Sequence, residues 1–200
     1  MERSANEFSL QESLQLIRSM IESTKHSFSD KSHYFLVWGW ATMVACIVQY
    51  VLLVIVRSPY HSVAWTAMIV AFILHIIFMC KDSKEEQKVK TFVGEATGTV
   101  WMSIGFAFFT LPFIFYKIGW EYCFPFYILL YGIGTFISGR LLKFRPLMIG
   151  GAGCLLLVIF TAYFRYEQQI LVAAFAILIS YIIPGHLLRN QYRRSVKNQR

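Results

Sequence analysis

Six stretches of this 200-residue chain contain no Asp, Glu, Lys or Arg: 34–56, 62–80, 97–116, 122–139, 147–164 and 170–188. At about 1.5 Å of rise per residue, helices of these lengths extend roughly 27 to 35 Å, the thickness of a hydrocarbon bilayer core. The stretches are continuously apolar instead of alternating, and a backbone in lipid must satisfy its own hydrogen bonds. Helices, not strands, are therefore expected. The predicted fold class is all-α: a polytopic integral membrane protein with six transmembrane helices as three hairpins, preceded by an N-terminal cytoplasmic amphipathic helix.

The charges between the stretches are sorted by side. Of the 19 Lys and Arg, all but Arg57, Lys117 and Arg165 fall before the first stretch, in the second gap (Lys81, Lys84, Lys88, Lys90), in the fourth (Arg140, Lys143, Arg145) or in the tail. Cytoplasmic loops retain positive charge, so both termini are expected in the cytoplasm. Aromatic residues follow the same map, with Tyr50, Tyr60, Trp65, Tyr116, Trp120, Tyr122, Tyr163 and Tyr166 toward the outer ends and Tyr34, Trp38, Trp40, Trp101 and Tyr181 toward the inner ones. Interfacial anchoring explains such belts.

Hydrophobic residues make up 56% of the chain, which leaves no stretch long enough for a separate soluble domain. The organisation read from the sequence is a cytoplasmic helix and linker at 1–33, a membrane domain at 34–188 and a basic cytoplasmic tail at 189–200. The first 33 residues are too polar for a cleaved signal peptide. A net charge of +8 is placed to meet anionic headgroups on the cytoplasmic side, so the lipid bilayer is the expected partner and nucleic acid is not. Short loops and the lack of an Asn-x-Ser/Thr sequon fit a bacterial-type cytoplasmic membrane.

Ahead of the first span, Ser9 and Glu12 have capping-box spacing, and Leu10, Leu14, Ile17, Ile21, Thr24 and Phe28 recur at intervals of three and four. This predicts a helix with one apolar stripe. Such a stripe lies on the inner leaflet or docks a membrane-protein partner or a second copy. Leu10, Leu14, Ile17, Ile21 and Phe28 are the candidate interface.

The fourth and sixth spans share an ending, Ile137-Ser-Gly-Arg-Leu-Leu-Lys143 against Ile183-Pro-Gly-His-Leu-Leu-Arg189. The match suggests a parallel duplication, with Gly139, Arg140, Gly185 and His186 at helix ends. Pro112 and Pro184 are expected to disturb their helices. Small residues four apart (Gly94 and Gly98, Ala67 and Ala71, Gly150 and Cys154, Ala176 and Ser180) have the spacing that allows close helix packing.

For chemistry the inventory is thin. His75 lies well inside the second span, where an ionisable group is costly and signals function by default. Thr42, Ser103, Thr135, Ser138, Ser180 and Tyr181 lie at similar depth and could line a polar vestibule open to the cytoplasm. Haem would need an axial pair such as His75 and His186, and a metal would need clustered carboxylates or histidines; neither pattern is present, and no cofactor is expected. Ser138, Gly139 and His186 superficially resemble the catalytic residues of rhomboid proteases, but Phe136 replaces that family's first motif glycine and the residues lie at the wrong end of their spans. The four cysteines lack Cys-x-x-Cys spacing and read as packing residues. The leading expectation is a non-catalytic assembly or regulatory subunit, and the runner-up an uncoupled small-solute facilitator or channel.

Overall fold

The computed structural model describes residues 12–21, 32–82 and 92–198. Among them there is no strand. Residues 12–21 form α1, and Ser32–Tyr50 forms α2, which a π turn extends through Val51–Ile55. A 3-10 turn, His61–Thr66, leads into α3, Ala67–Asp82. Then come α4, Phe92–Ile118, and α5, Cys123–Leu141, joined through a short 3-10 turn at Trp120–Tyr122. Next are α6, Arg145–Thr161, and α7, Tyr166–Ile177. A second π turn, Leu178–Ile182, carries α7 without a break into α8, Ile183–Asn198.

Four helical segments are long and apolar enough to cross a membrane: Leu36–Ile55, Phe92–Ile118, Trp120–Leu141 and Tyr166–Asn190. Two further apolar segments, His61–Ile77 and Arg145–Thr161, are shorter.

The helix ends have local causes. Residues 57–60 read Arg-Ser-Pro-Tyr, and Arg57 takes a left-handed φ of 55° to leave α2. Gly119, at φ 107°, ends α4 in a conformation that side chains avoid. Lys143 at φ 49° turns the chain between α5 and α6, and the Phe144 N–H bonds back to the Gly139 carbonyl at 2.9 Å. Pro146 then stands in the first turn of α6, where a missing N–H costs no bond. At the start of α7 the Gln168 side-chain oxygen accepts from the Arg165 backbone N–H at 3.1 Å, half of a capping box.

Glycine sets the tightest packing, between α5 and α6. A Cβ on Gly139 would come within 2.5 Å of the Met148 backbone nitrogen, one on Gly151 would collide with the Phe136 backbone, and one on Gly132 would meet Leu155 at 2.9 Å. On its other side α6 meets the second π turn, where a Cβ on Gly150 would lie 2.7 Å from the Ile179 carbonyl and 2.8 Å from Ser180 Cα. One turn on, the Cys154 thiol donates to the Ala176 carbonyl at 3.4 Å. Two small pairs picked out by spacing, Gly150/Cys154 and Ala176/Ser180, thus face each other. Gly98 behaves differently, because a Cβ there would touch nothing.

Helix α2 packs on α7 and the π turn after it, α3 on α2, and α4 on α5. Cys46, Phe115, Cys123, Phe124, Ile128, Cys154, Ile170 and Ala173 belong to one buried apolar cluster. Three of the four cysteines, Cys46, Cys123 and Cys154, therefore share one core.

The duplicated ending is not duplicated in structure. Helix α5 stops at Leu141, two residues after Gly139, whereas Gly185 and His186 stand in the first turn of α8, which continues to Asn198. Gly185 is thus not at a helix end. Pro184 lacks an N–H and crowds the carbonyl four residues back, and the chain meets this with the π turn immediately before it, without ending the helix. Arg140 and His186 are both exposed.

Candidate functional site

Where α2 begins, α3 ends and α4, α5 and α7 approach, aromatic and hydroxyl side chains gather. The Trp38 indole donates to His75 Nδ1 at 3.3 Å, with the rings edge-on at 6.0 Å. An indole N–H is only a donor, so Nδ1 must accept and the ring proton resides on Nε2. Thr42, one turn on from Trp38, is buried and donates to the Trp38 carbonyl at 2.8 Å, and the Tyr131 hydroxyl lies beside it. Trp101 donates to Ser138 Oγ at 3.0 Å. Its ring meets Tyr181 at 5.7 Å and Tyr131 at 6.3 Å, and these two tyrosines meet each other edge-on at 5.8 Å. Gly39 makes room for Tyr181, whose ring would stand 3.0 Å from a Cβ there.

Of the residues proposed for a polar vestibule, His75 and Thr42 meet through Trp38, and Tyr181 and Ser138 meet through Trp101. Thr135 and Ser180 are fully buried. Thr135 Oγ1 has no hydrogen-bond partner, and Ser180 Oγ faces the Cys154 thiol without an oxygen or nitrogen partner. Ser103 lies apart from all of them. It is exposed on α4 and donates to the Thr99 carbonyl of its own helix at 2.9 Å. Similar depth placed it with the others, but depth does not fix which way a helix faces.

The α1 stripe divides. Ile21 is buried, while Leu14 is 53% and Ile17 47% exposed. Leu10 and Phe28, the ends of the candidate interface, lie outside the described residues, as does Ser9 of the capping box.

A second polar cluster was not anticipated. Gln49, near the end of α2, is buried at 1% exposure. Its Oε1 accepts from the Trp65 indole at 2.8 Å, and its Nε2 donates to the Tyr166 hydroxyl at 3.0 Å and lies 3.3 Å from His61 Nδ1. One amide thereby joins α2, the 3-10 turn before α3, and the start of α7. The rings around it continue the contact, His61 to Tyr166 at 6.2 Å and Phe124 to Tyr166 at 5.5 Å. A lone Gln in an uncharged run adds nothing to a charge count, which is why it escaped notice. The usable signal was a Gln inside an apolar run with His61 and Trp65, two side chains able to bond an amide, close after it in the chain.

Among the described residues, no three His, Cys, Asp or Glu side chains gather where a metal ion could sit. Ser138 is buried and engaged by Trp101, while His186 is exposed on another helix, so nothing brings this Ser and His together as nucleophile and base. Compared with protein-family models, curated proteins and solved structures, the chain matches none.

Proposed function

We propose that the chain is a six-span protein of a bacterial-type cytoplasmic membrane, built as three hairpins with both termini inside. In this reading it acts as a non-catalytic assembly or regulatory subunit through its cytoplasmic face. The orientation rests on the distribution of Lys and Arg. The docking role rests on one observation: α1 keeps Leu14 and Ile17 open while Ile21 is covered, which leaves an apolar edge for a partner helix or a second copy. The polar side chains inside the bundle are mostly spent on one another, as Trp38–His75 and Trp101–Ser138 illustrate. That suits a structural role better than a catalytic one.

The test is deletion of residues 1–28. Insertion is expected to survive and co-purification with a partner, or self-association, to be lost. Unchanged assembly would remove the basis of the docking role.

A second reading, an uncoupled small-solute facilitator, is favoured by the buried hydroxyls of Thr135 and Ser180, since small polar groups can line a path through a bundle. Flux into liposomes holding purified protein separates the two. A leak abolished by His75→Leu in a folded protein would favour the facilitator.

A further inference from the structure

The Gln49 cluster contains a hydrogen-bond constraint with two solutions. An indole N–H donates and never accepts, so Trp65, at 2.8 Å, fixes Gln49 Oε1 on its side. The amide nitrogen then points the other way, and its two hydrogens go to the Tyr166 hydroxyl and to His61 Nδ1. For the second of these bonds, Nδ1 must carry a lone pair. The latched arrangement therefore holds a neutral His61 with its proton on Nε2.

A proton added from solvent to Nδ1 makes that nitrogen a donor facing the Gln49 NH2, itself a donor. The remedy is local: the Gln49 amide turns over, so that Oε1 accepts from His61 Nδ1–H and from the Tyr166 hydroxyl. The cost falls on Trp65, whose N–H then faces an NH2 group and loses its acceptor. Only one of His61 and Trp65 can be satisfied by Oε1 at a time.

We propose that Gln49, His61, Trp65 and Tyr166 form a proton-operated latch. With His61 neutral, Gln49 holds Trp65, and the 3-10 turn before α3 is tied to α2 and α7. With His61 protonated, Gln49 turns to His61 and Tyr166, and Trp65 is released. Imidazole is the side chain that changes charge over about pH 5 to 8, and His61 is half-buried, so protons can reach it from water.

Little around His61 competes for that proton. From α2 it meets Gln49, with the Cys46 thiol one turn earlier. From α7 it meets Tyr166, whose neighbours Arg165 and Glu167 pair with each other at 3.6 Å. The Cys123 thiol at the start of α5 lies beyond Tyr166, Lys117 and Glu121 flank the α4–α5 connection, and Arg57 precedes His61 on its own connection. Among the described residues no carboxylate bonds or pairs with His61. In the orientation proposed above this end faces outward; that placement rests on the proposed topology, and the latch does not.

The test uses the full chain with 15N-labelled tryptophan in detergent micelles or nanodiscs, with the Trp65 indole signal assigned through Trp65→Phe. Between pH 8 and pH 5 the Trp65 indole proton should move upfield along a one-proton curve as its acceptor leaves. In His61→Asn, whose side-chain oxygen replaces the Nδ1 acceptor and does not titrate, it should stay at its high-pH position. Should that variant fail to fold, His61→Phe serves instead, because it has no titrating group and leaves Gln49 Oε1 on Trp65, with the signal flat at its high-pH position. A stationary Trp65 signal in the native protein, or one that titrates unchanged in either variant, overturns the latch.

Discussion

Trp101 in α4 donates its indole N–H to Ser138 in α5 at 3.0 Å, a polar tie between a helix at the edge of the bundle and one at its centre. Trp101→Phe keeps the ring against Tyr131 and Tyr181 but removes the bond. A cost of about 1 kcal/mol is expected, as for hydrogen bonds between helices in membranes. Ser138→Ala should cost about the same, and the double variant little more than either alone. Thermal unfolding in mild detergent would measure all three, and strict additivity would show that the bond contributes nothing.

The glycines on α5 and α6 should not respond alike to a methyl group. Gly151→Ala and Gly139→Ala drive a Cβ into the backbone of the facing helix, and each should lower stability by about 1 to 3 kcal/mol or block folding. Gly98→Ala meets open space and should be neutral or raise stability by up to about 1 kcal/mol through helix propensity. The same unfolding assay checks the order. Equal effects at Gly98 and Gly151 would contradict the close α5–α6 approach.

Gln49→Leu should be among the most damaging single polar-to-apolar changes in the described part of the chain. It strands the Trp65 indole and the Tyr166 hydroxyl together, and a buried polar group left without a partner costs about 1 to 3 kcal/mol. Trp65→Phe removes only one bond and should cost less. Protease sensitivity of the connection between α2 and α3 would report the difference, with Gln49→Leu cut fastest.

The six-span reading makes a geometric forecast. In a chain carrying Cys80→Ser, single cysteines at Pro59, Lys117 and Phe164 should react with a membrane-impermeant maleimide on intact cells, and one at Lys143 only after permeabilisation, against native Cys46, Cys123 and Cys154, which are buried. Labelling of position 143 from outside would break the alternation.

How far the sequence spoke depends on what each signal measures. Lack of charge located the helices, because a run without Asp, Glu, Lys or Arg is a property of composition that needs no partner. It misjudged their ends, most at the last stretch, where α8 runs on to Asn198 and Glu167 and Gln168 could join α7 once Arg165 was turned away and capped. Small-residue spacing found Gly150 and Cys154, whose neighbours lie across a seam, and equally Gly98, which has none; a spacing rule cannot see the other helix. The polar layer failed at Ser103 for the same reason. Gln49 was missed altogether, because its importance lies in three residues contributed by other segments.

The π turn at Leu178–Ile182 has a consequence for the C-terminal arm. A π turn holds more residues than an α turn, so everything after it is out of phase with Tyr166–Ile177. Deleting one residue there would let the helix regain uniform pitch. The rod would remain whole and apolar and Arg189 would keep its facing, whereas the same deletion in a uniform α-helix would swing it by about 100°. A change of length in this last segment can thus be absorbed at the π turn without re-aiming the arm.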